Sequence, residues 1–182
     1  SFIVGETTGD LDFHVTDSLT GNLTINDLAT DSVNFKADTD TAWVFGSISI
    51  GGNAIFDFNN DEPLYLTGSF TNNNVVKSNT PSAQLVFTGD ESVNFNPGGI
   101  SSGSQFPGVI VEKDAVADIV TVNSNFRVTS PDSAFVVRSG RFDMTGYALN
   151  SDSSGSVFIH DGGEFASSLV RFNANGGGEV GE

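Results

Sequence analysis

The sequence predicts an all-β fold, a single right-handed parallel β-helix (β-solenoid) of about eight coils. Short segments of alternating apolar and polar residues run from end to end, broken at short intervals by Gly, Asn, Asp or Ser. The chain also repeats itself: Ser32-Val33-Asn34-Phe35 recurs as Ser92-Val93-Asn94-Phe95, and residues 134–140 are echoed by residues 156–162. Weak self-similarity at a spacing of about 20–50 residues is typical of stacked repeats, in which one unit cannot bury its apolar face alone.

The strands are predicted from apolar residues at alternate positions. Ile48 and Ile50, for example, place one face of a strand inward and leave the other outward. Two runs, 109–111 and 135–137, are apolar throughout, which indicates strands that are covered on both sides or contact a neighbour. No segment keeps a helical period. The predicted strands cover residues 11–15, 23–25, 33–35, 43–50, 54–58, 64–70, 85–87, 93–95, 109–111, 119–122, 126–128, 134–137, 141–144, 157–159 and 169–172.

The turn residues favour parallel coils over tight hairpins. Asn-Gly, the strongest hairpin signal, occurs only at Asn175-Gly176, whereas Gly-Gly pairs at 51–52, 98–99 and 162–163 separate strands. A coil of about 20–23 residues accounts for the expected coil number. The 16 Phe residues are suited to stacking along the interior of such coils. A β-sandwich or jelly roll, which also has many short alternating strands, is the alternative fold.

Length and charge limit the classes of partner. We expect residues 1–175 to form one β-solenoid domain and residues 176–182 to form a Gly-rich tail or linker. The formal charge is −16 and the seven basic residues are scattered, which argues against nucleic acid and anionic membrane surfaces as partners. No apolar run approaches the roughly 20 residues that cross a bilayer, so membrane insertion is not expected. The absence of Cys excludes disulfide bonds and thiolate metal sites.

One phrase in the second half of the sequence is distinctive. A strand is followed by Ser139-Gly140, a second strand and then Gly146-Tyr147-Ala148-Leu149. With residues 84–95, 106–111, 120–122 and 126–128, this phrase resembles the repeated β-solenoid stalks of secreted bacterial surface proteins and adhesins. The resemblance covers about a third of the chain. It implies a solenoid fold and an extracellular location, secreted or attached to the bacterial cell surface, and it implies no particular activity.

The best metal-binding candidate is a short run rich in carboxylate and amide groups. Asp57, Asn59 and Asp61 place oxygen ligands at positions 1, 3 and 5, as the start of a calcium loop does. Position 6, where such a loop needs Gly, is Glu62, and position 12, where it needs an acid, is Gly68. The run predicts a weak calcium site in which Glu62 could also take part, and a polar turn is the competing interpretation. No cofactor other than calcium is expected.

Residues suited to catalysis are dispersed along the sequence. Acidic pairs on one strand face could act on polysaccharide, but such pairs more often lie at solvated coil edges. A lyase would also need a basic side chain that neutralises the acidic group of the bound sugar. The only two basic residues close together in the sequence are better explained by salt bridges between coils. His14 and His160 lie far apart in the sequence, and no Gly-x-Ser-x-Gly motif occurs. The acidic pairs are Asp10 with Asp12 and Asp38 with Asp40, and the basic pair is Arg138 with Arg141.

Small polar residues at alternate positions raise a further option. Thr24 and Asn26, or Asn94 and Asn96, could form flat ladders that order water or sugar, although any strand presents polar residues to solvent. A regular Thr-x-Thr row on one face, which ice binding would need, does not occur.

The sequence repeats itself, and its residues suited to catalysis do not cluster. These two features together predict a non-enzymatic extracellular structural or adhesive module. Exposed coil ends invite contacts between copies, so we expect a homo-oligomer or polymer formed through coil ends or strand addition. The strand-like residues Phe2, Ile3 and Val4 are the candidates for self-association. The alternative function is a carbohydrate-binding or polysaccharide-degrading β-helix, with a surface polysaccharide as partner. A viral fibre segment, which would be an obligate trimer, is a third interpretation.

Overall fold

The chain folds as a stack of parallel β-strands. The structure, a computed structural model, describes residues 2–4, 11–15, 18–26, 32–37, 42–52, 54–58, 63–78, 84–98, 106, 108–128, 135–151, 158–160 and 162–172. These residues contain no helix. The strands are β1 (Phe2–Val4), β2 (Leu11–Val15), β3 (Ser18–Thr20), β4 (Leu23–Ile25), β5 (Ser32–Ala37), β6 (Ala42–Phe45), β7 (Ile48–Ile50), β8 (Ile55–Phe58), β9 (Leu64–Leu66), β10 (Phe70–Asn72), β11 (Val75–Ser78), β12 (Gln84–Gly89), β13 (Val93–Asn96), β14 (Gly108–Lys113), β15 (Ile119–Val122), β16 (Phe126–Val128), β17 (Phe135–Ser139), β18 (Arg141–Ser151), β19 (Phe158–His160) and β20 (Glu164–Phe172).

Three sheets share these strands, and every pairing is parallel. The first sheet has the order β1-β4-β7-β10-β13-β15-β18-β16, with β20 paired to β18. The second sheet has the order β2-β5-β8-β11, and the third has the order β3-β6-β9-β12-β14-β17-β19. The chain visits the three sheets in turn and then returns to the first, one strand further along. This path confirms the predicted parallel β-solenoid.

The register between coils is set by apolar side chains that stack on one another. In the first sheet Leu23 pairs with Ile48, Ile48 with Phe70, and Phe70 with Phe95. These pairs lie 22 to 25 residues apart, so each turn of the chain places an inward side chain directly above its predecessor. The same inward positions in the third sheet hold Val44, Leu66, Phe87, Val111 and Val137.

The number of regular coils differs from the prediction of about eight. Four coils, from β1 to β12, have a separate strand in each of the three sheets, as the four-stranded second sheet indicates. Beyond β12 the second sheet is not continued in the described residues. Its place is taken by β16 and by the far ends of β18 and β20, with a register shift between Met144 and Ala148. The chain still passes through the first sheet eight times, at β1, β4, β7, β10, β13, β15, β18 and β20, so the later coils differ in the number of their sides within the described residues.

Phenylalanine rings fill the interior. Phe95 has no exposed surface, and its ring centroid lies 5.1 Å from that of Phe87, 5.4 Å from Phe106 and 5.3 Å from Phe126. These contacts are edge-to-face, the arrangement that the charge distribution of aromatic rings favours. The other fully buried rings in this column are Phe56, Phe70, Phe135 and Phe142. The predicted stacking of Phe along the interior is therefore confirmed.

The third sheet is also covered on its outer side. Val86, Ile110 and Val136 alternate with the inward residues and are paired in register across β12, β14 and β17. All three are at most 2% exposed and form a second apolar cluster, against which Tyr65 packs. The prediction that runs 109–111 and 135–137 are covered on both sides is therefore confirmed.

Buried amide groups hold the corner between the first and second sheets. Asn72 is 1% exposed, and its Nδ2 donates to the carbonyl of Pro97 in the next coil (3.0 Å) and to that of Asn74 (3.2 Å). Its Oδ1 accepts from the backbone N–H of Asn74 at 3.0 Å. Because these bonds satisfy the buried amide, this corner stays tight without a large desolvation penalty.

Candidate functional site: a polar groove along one corner

A groove runs along the corner where the third sheet leads into the first. It has a volume of about 510 Å³ and crosses four successive coils. At a strand spacing of 4.7–4.9 Å, four coils give the groove a length of about 14 Å. It is lined by Asn22 from the first of these coils, Gly46 and Ser47 from the second, Thr67 and Gly68 from the third, and Gly89, Asp90 and Glu91 from the fourth.

Glycines form the floor of the groove because the coils approach one another most closely there. A Cβ atom on Gly46 would overlap the carbonyl oxygen of Gly21 in the coil below. A Cβ atom on Gly68 would in turn overlap the carbonyl oxygen of Gly46. Any other residue at these two positions would push the backbones of neighbouring coils apart. The lack of side chains therefore permits the tight stacking of the coils along the floor of the groove.

A ladder of polar side chains ties the same corner together. The backbone N–H of Ser47 donates to Oδ1 of Asn22 at 2.8 Å, and that of Ser69 donates to Oγ of Ser47 at 3.0 Å. The backbone N–H of Asn94 continues the series by donating to Oγ of Ser69 at 3.0 Å. Each side chain thus accepts a bond from the coil above it. The hydroxyl protons of Ser47 and Ser69 are not used in these bonds, because both oxygens act as acceptors.

A row of small neutral side chains borders the groove on the outer side of the first sheet. Thr24 is paired with Ser49, Ser49 with Thr71, and Thr71 with Asn96. All four side chains are half-buried, and each lies one strand spacing from the next. We name Thr24, Ser49, Thr71 and Asn96 the polar face. It presents hydroxyl and amide groups at a constant repeat and carries no formal charge.

Acidic side chains stand at one end of the groove. Asp90 and Glu91 are exposed, and the next coil replaces the glycine corner with a longer turn at residues 114–118. The turn is fixed to the coil below, because the N–H of Asp114 donates to the carbonyl of Gly89 at 3.3 Å. Ser92 Oγ also accepts from the N–H of Ile119 at 3.0 Å. The groove therefore ends at a fixed turn.

Lys113 lies beneath this acidic end. It is 1% exposed, and its Nζ donates to the carbonyl of Thr88 at 2.6 Å. Burial lowers the pKa of its ammonium group, since water no longer solvates the charge. Nearby carboxylates act in the opposite direction and raise that pKa; they belong to Asp118, Asp114, Asp90 and Glu91.

Arginine side chains beside the corner form ion pairs between coils. Arg138 pairs with Glu112 on the neighbouring strand of the third sheet. Arg141 Nη2 lies 2.7 Å from Asp143 Oδ2, and Arg141 Nη1 lies 3.8 Å from Glu164 Oε2 in the next coil. The interpretation of this basic pair as salt bridges between coils is therefore confirmed. Hydrogen bonds from the N–H and hydroxyl of Thr145, together with Arg141, lower the pKa of Asp143.

The predicted calcium run is described in part. Asp57 lies in β8, is 8% exposed and is paired in register with Asn34 and Lys77. Asn59, Asp61 and Glu62 lie outside the described residues. Within the described part of the chain, no group of three or more His, Asp or Glu side chains is arranged to hold a metal ion. The calcium site stays a prediction.

The other predicted site residues are distributed over the fold. Phe2, Ile3 and Val4 form β1, which is paired in register with β4 at one end of the first sheet, and Ile3 is 64% exposed. His14 lies in the second sheet and His160 in the third. Asp12 lies in β2, whereas Asp10, Asp38 and Asp40 lie outside the described residues.

The groove is the feature that the sequence interpretation missed. A signal for it exists, since a Gly followed by a small polar or acidic residue recurs at nearly the coil spacing. The pairs are Gly21-Asn22, Gly46-Ser47, Gly68-Ser69 and Gly89-Asp90.

No family model, curated protein or solved structure matches the chain. A search of the described residues for a helix long and apolar enough to cross a membrane finds none.

Proposed function

We propose that the chain is a non-enzymatic extracellular module of a bacterial surface fibre, with a structural and adhesive role. The observation that carries this proposal is the axial continuity of the molecule. Core rings, corner side chains and ion pairs all connect one coil to the next, so the body is reinforced along its long axis. A solenoid of this kind transmits load and spaces binding surfaces, since each coil contacts only its neighbours.

Self-association would occur through the ends of the stack. Among the described strands β1 pairs with β4 on one edge and with no strand on its other edge, while β20 at the far end pairs with β18. Edge strands carry unpaired backbone donors and acceptors that accept a further strand. Because the two ends differ, a contact of β20 in one copy with β1 in the next is head-to-tail and produces a filament. The exposed side chain of Ile3 would lie in this contact.

Multi-angle light scattering combined with small-angle X-ray scattering, across a concentration series, tests this function. The full chain should form elongated particles whose mass increases with concentration. Deleting residues 1–5, or changing Ile3→Lys to place a charge on the edge strand, should leave monomers. Val116→Lys is the matched control, because Val116 is 48% exposed on the turn after β14 and lies away from β1. A chain that stays monomeric, or that assembles equally well after both changes, would overturn the fibre model.

A carbohydrate-binding or polysaccharide-degrading β-helix is the second candidate, and the groove favours the binding form of it. The lining offers hydroxyl, amide and carboxylate groups on an open glycine floor. Release of reducing sugars from a panel of polysaccharides distinguishes degradation from binding, since a binding module releases none.

A further inference from the structure

We infer that the groove binds a neutral polysaccharide chain that lies parallel to the solenoid axis. The inference rests on the proposed adhesive function and names its binding site and ligand class. The ligand would contact Asn22, Ser47 and Thr67 along the groove and Asp90 and Glu91 at its acidic end.

The hydrogen-bonding chemistry of the lining matches sugar hydroxyls. A sugar hydroxyl both donates and accepts, so it needs a surface that offers both functions. Ser47 supplies a hydroxyl proton, Asn22 supplies the N–H groups of its amide, and the carboxylates of Asp90 and Glu91 accept. The Thr67 hydroxyl already donates to the Val44 carbonyl at 3.2 Å, so it offers its oxygen as an acceptor. Bonds to ionised acceptors are the stronger kind. The acidic end would therefore hold the sugar unit that contributes most to affinity.

The charge of the groove selects against acidic glycans. Within the described lining the ionisable residues are Asp90 and Glu91, both acidic, and the chain as a whole has a formal charge of −16. Lys113, whose ammonium group interacts with both carboxylates, is 1% exposed and donates to a backbone carbonyl beneath the surface. An anionic polysaccharide would meet repulsion without a compensating ion pair. A neutral chain avoids this cost.

The shape of the corner fits a ligand that runs across coils. At Gly46 and Gly68 the lining consists of backbone from two adjacent coils, which a sugar ring can contact directly. The polar face continues the surface beside the groove with one hydroxyl or amide group per coil. Because both features repeat at the strand spacing, a polymer can form the same contact several times. Among the described residues that line the groove none is aromatic, so affinity for each unit is low and several modules in a fibre would act together.

Isothermal titration calorimetry on the full chain tests the inference. The probes are cellohexaose, laminarihexaose and mannohexaose as neutral ligands and oligogalacturonate as the acidic one. The double variant Asp90→Ala/Glu91→Ala should weaken binding of the neutral ligand at least tenfold. The control Glu164→Ala removes one exposed carboxylate outside the lining and should leave affinity unchanged, whereas the single variants Asp90→Ala and Glu91→Ala make the same change in charge within the lining and should each weaken binding.

Binding of a neutral hexasaccharide that is lost in the double variant and kept in the control supports the site. Absence of binding to all neutral probes, preference for oligogalacturonate, or equal loss in both variants would overturn it. Thermal unfolding by circular dichroism must show that both variants keep the fold. Titrating the Ile3→Lys variant with the sugar separates the two proposals, because this variant should not form fibres. If it still binds the sugar, the groove site is supported whether or not the native chain assembles.

Discussion

Phe95 is the side chain whose removal should weaken the solenoid most. It has no exposed surface and lies within the aromatic column, in contact with rings from the coils on both sides. Its centroid lies 6.0 Å from that of Phe70 and 6.5 Å from that of Phe142. In a one-dimensional stack, loss of a central ring weakens two interfaces between coils, whereas loss of a terminal ring weakens one.

Phe95→Ala should lower the free energy of unfolding by about 3–5 kcal/mol, the range for a buried Phe that leaves a cavity. For a chain of this length that loss corresponds to a fall in Tm of roughly 6–20 °C. Phe95→Leu keeps most of the apolar volume and should cost about 1–2 kcal/mol. Phe165 is only half-buried and lies in β20 at the end of the stack, so Phe165→Ala should cost about half as much as Phe95→Ala.

Urea unfolding followed by circular dichroism measures these differences. The predicted order of loss is Phe95→Ala, then Phe165→Ala, with Phe95→Leu near or below the terminal variant. Phe165→Ala should also lower the m-value, the slope of the unfolding free energy against urea concentration, because the end coil separates before the rest of the stack. A loss below about 1 kcal/mol for Phe95→Ala, or one no larger than that of Phe165→Ala, would refute the central role of this ring.

Two further predictions concern the corner that forms the groove. Gly68→Ala should destabilise the chain by about 1–3 kcal/mol, because the added methyl group overlaps the carbonyl oxygen of Gly46; an unchanged urea midpoint would contradict this contact. Lys113 has a lowered pKa, so between that value and 10.5 the unfolded chain binds more protons and stability should increase with pH. Lys113→Met removes this titration, so the unfolding free energy of the native chain minus that of the variant should increase from pH 7 towards pH 10.5. Urea titrations that give the same difference at both pH values would contradict a lowered pKa for Lys113.

The sequence predicted most strands because the inward face is apolar at alternate positions, as at Leu64 and Leu66. It failed where a corner preserves that alternation. Residues 43–50 read as one strand, yet the chain turns at Gly46 and Ser47 between β6 and β7. Both Val44 and Ile48 point inward, an even number of residues apart, so the pattern continues unchanged through the turn. Periodicity alone does not detect a corner of this parity.

Two strands escaped prediction for a different reason. Ser18–Thr20 has Leu19 as its only apolar residue, and Val75–Ser78 lies directly after three consecutive Asn residues that resemble a turn. In both cases the strand forms because its neighbours in adjacent coils supply a parallel partner. Tertiary pairing overrides the weak local preference there.

The candidate site was missed because sequence reasoning favours motifs whose residues are close together. The calcium run spans six consecutive residues, whereas the groove draws single residues or short turns from four coils. Asn22, Ser47 and Thr67 become neighbours only once the coil length is known. The recurring Gly-polar pairs would have indicated that length, since Gly46 and Gly68 each lie against a backbone carbonyl of the coil below, where a side chain would not fit.

A parallel solenoid turns a repeated residue into a line of identical groups, and this explains why binding by such a fold would be cumulative. Thr24, Ser49 and Thr71 are separated by 25 and 22 residues in the chain, yet each lies one strand spacing from the next. Uncharged groups occupy this line, whereas the carboxylates of Asp90 and Glu91 stand at the corner beside it. These two carboxylates lie at an exposed turn, where solvent screens their repulsion. The polar face itself stays neutral, and an added coil with a small polar residue at the same register would extend it by one more contact of the same kind.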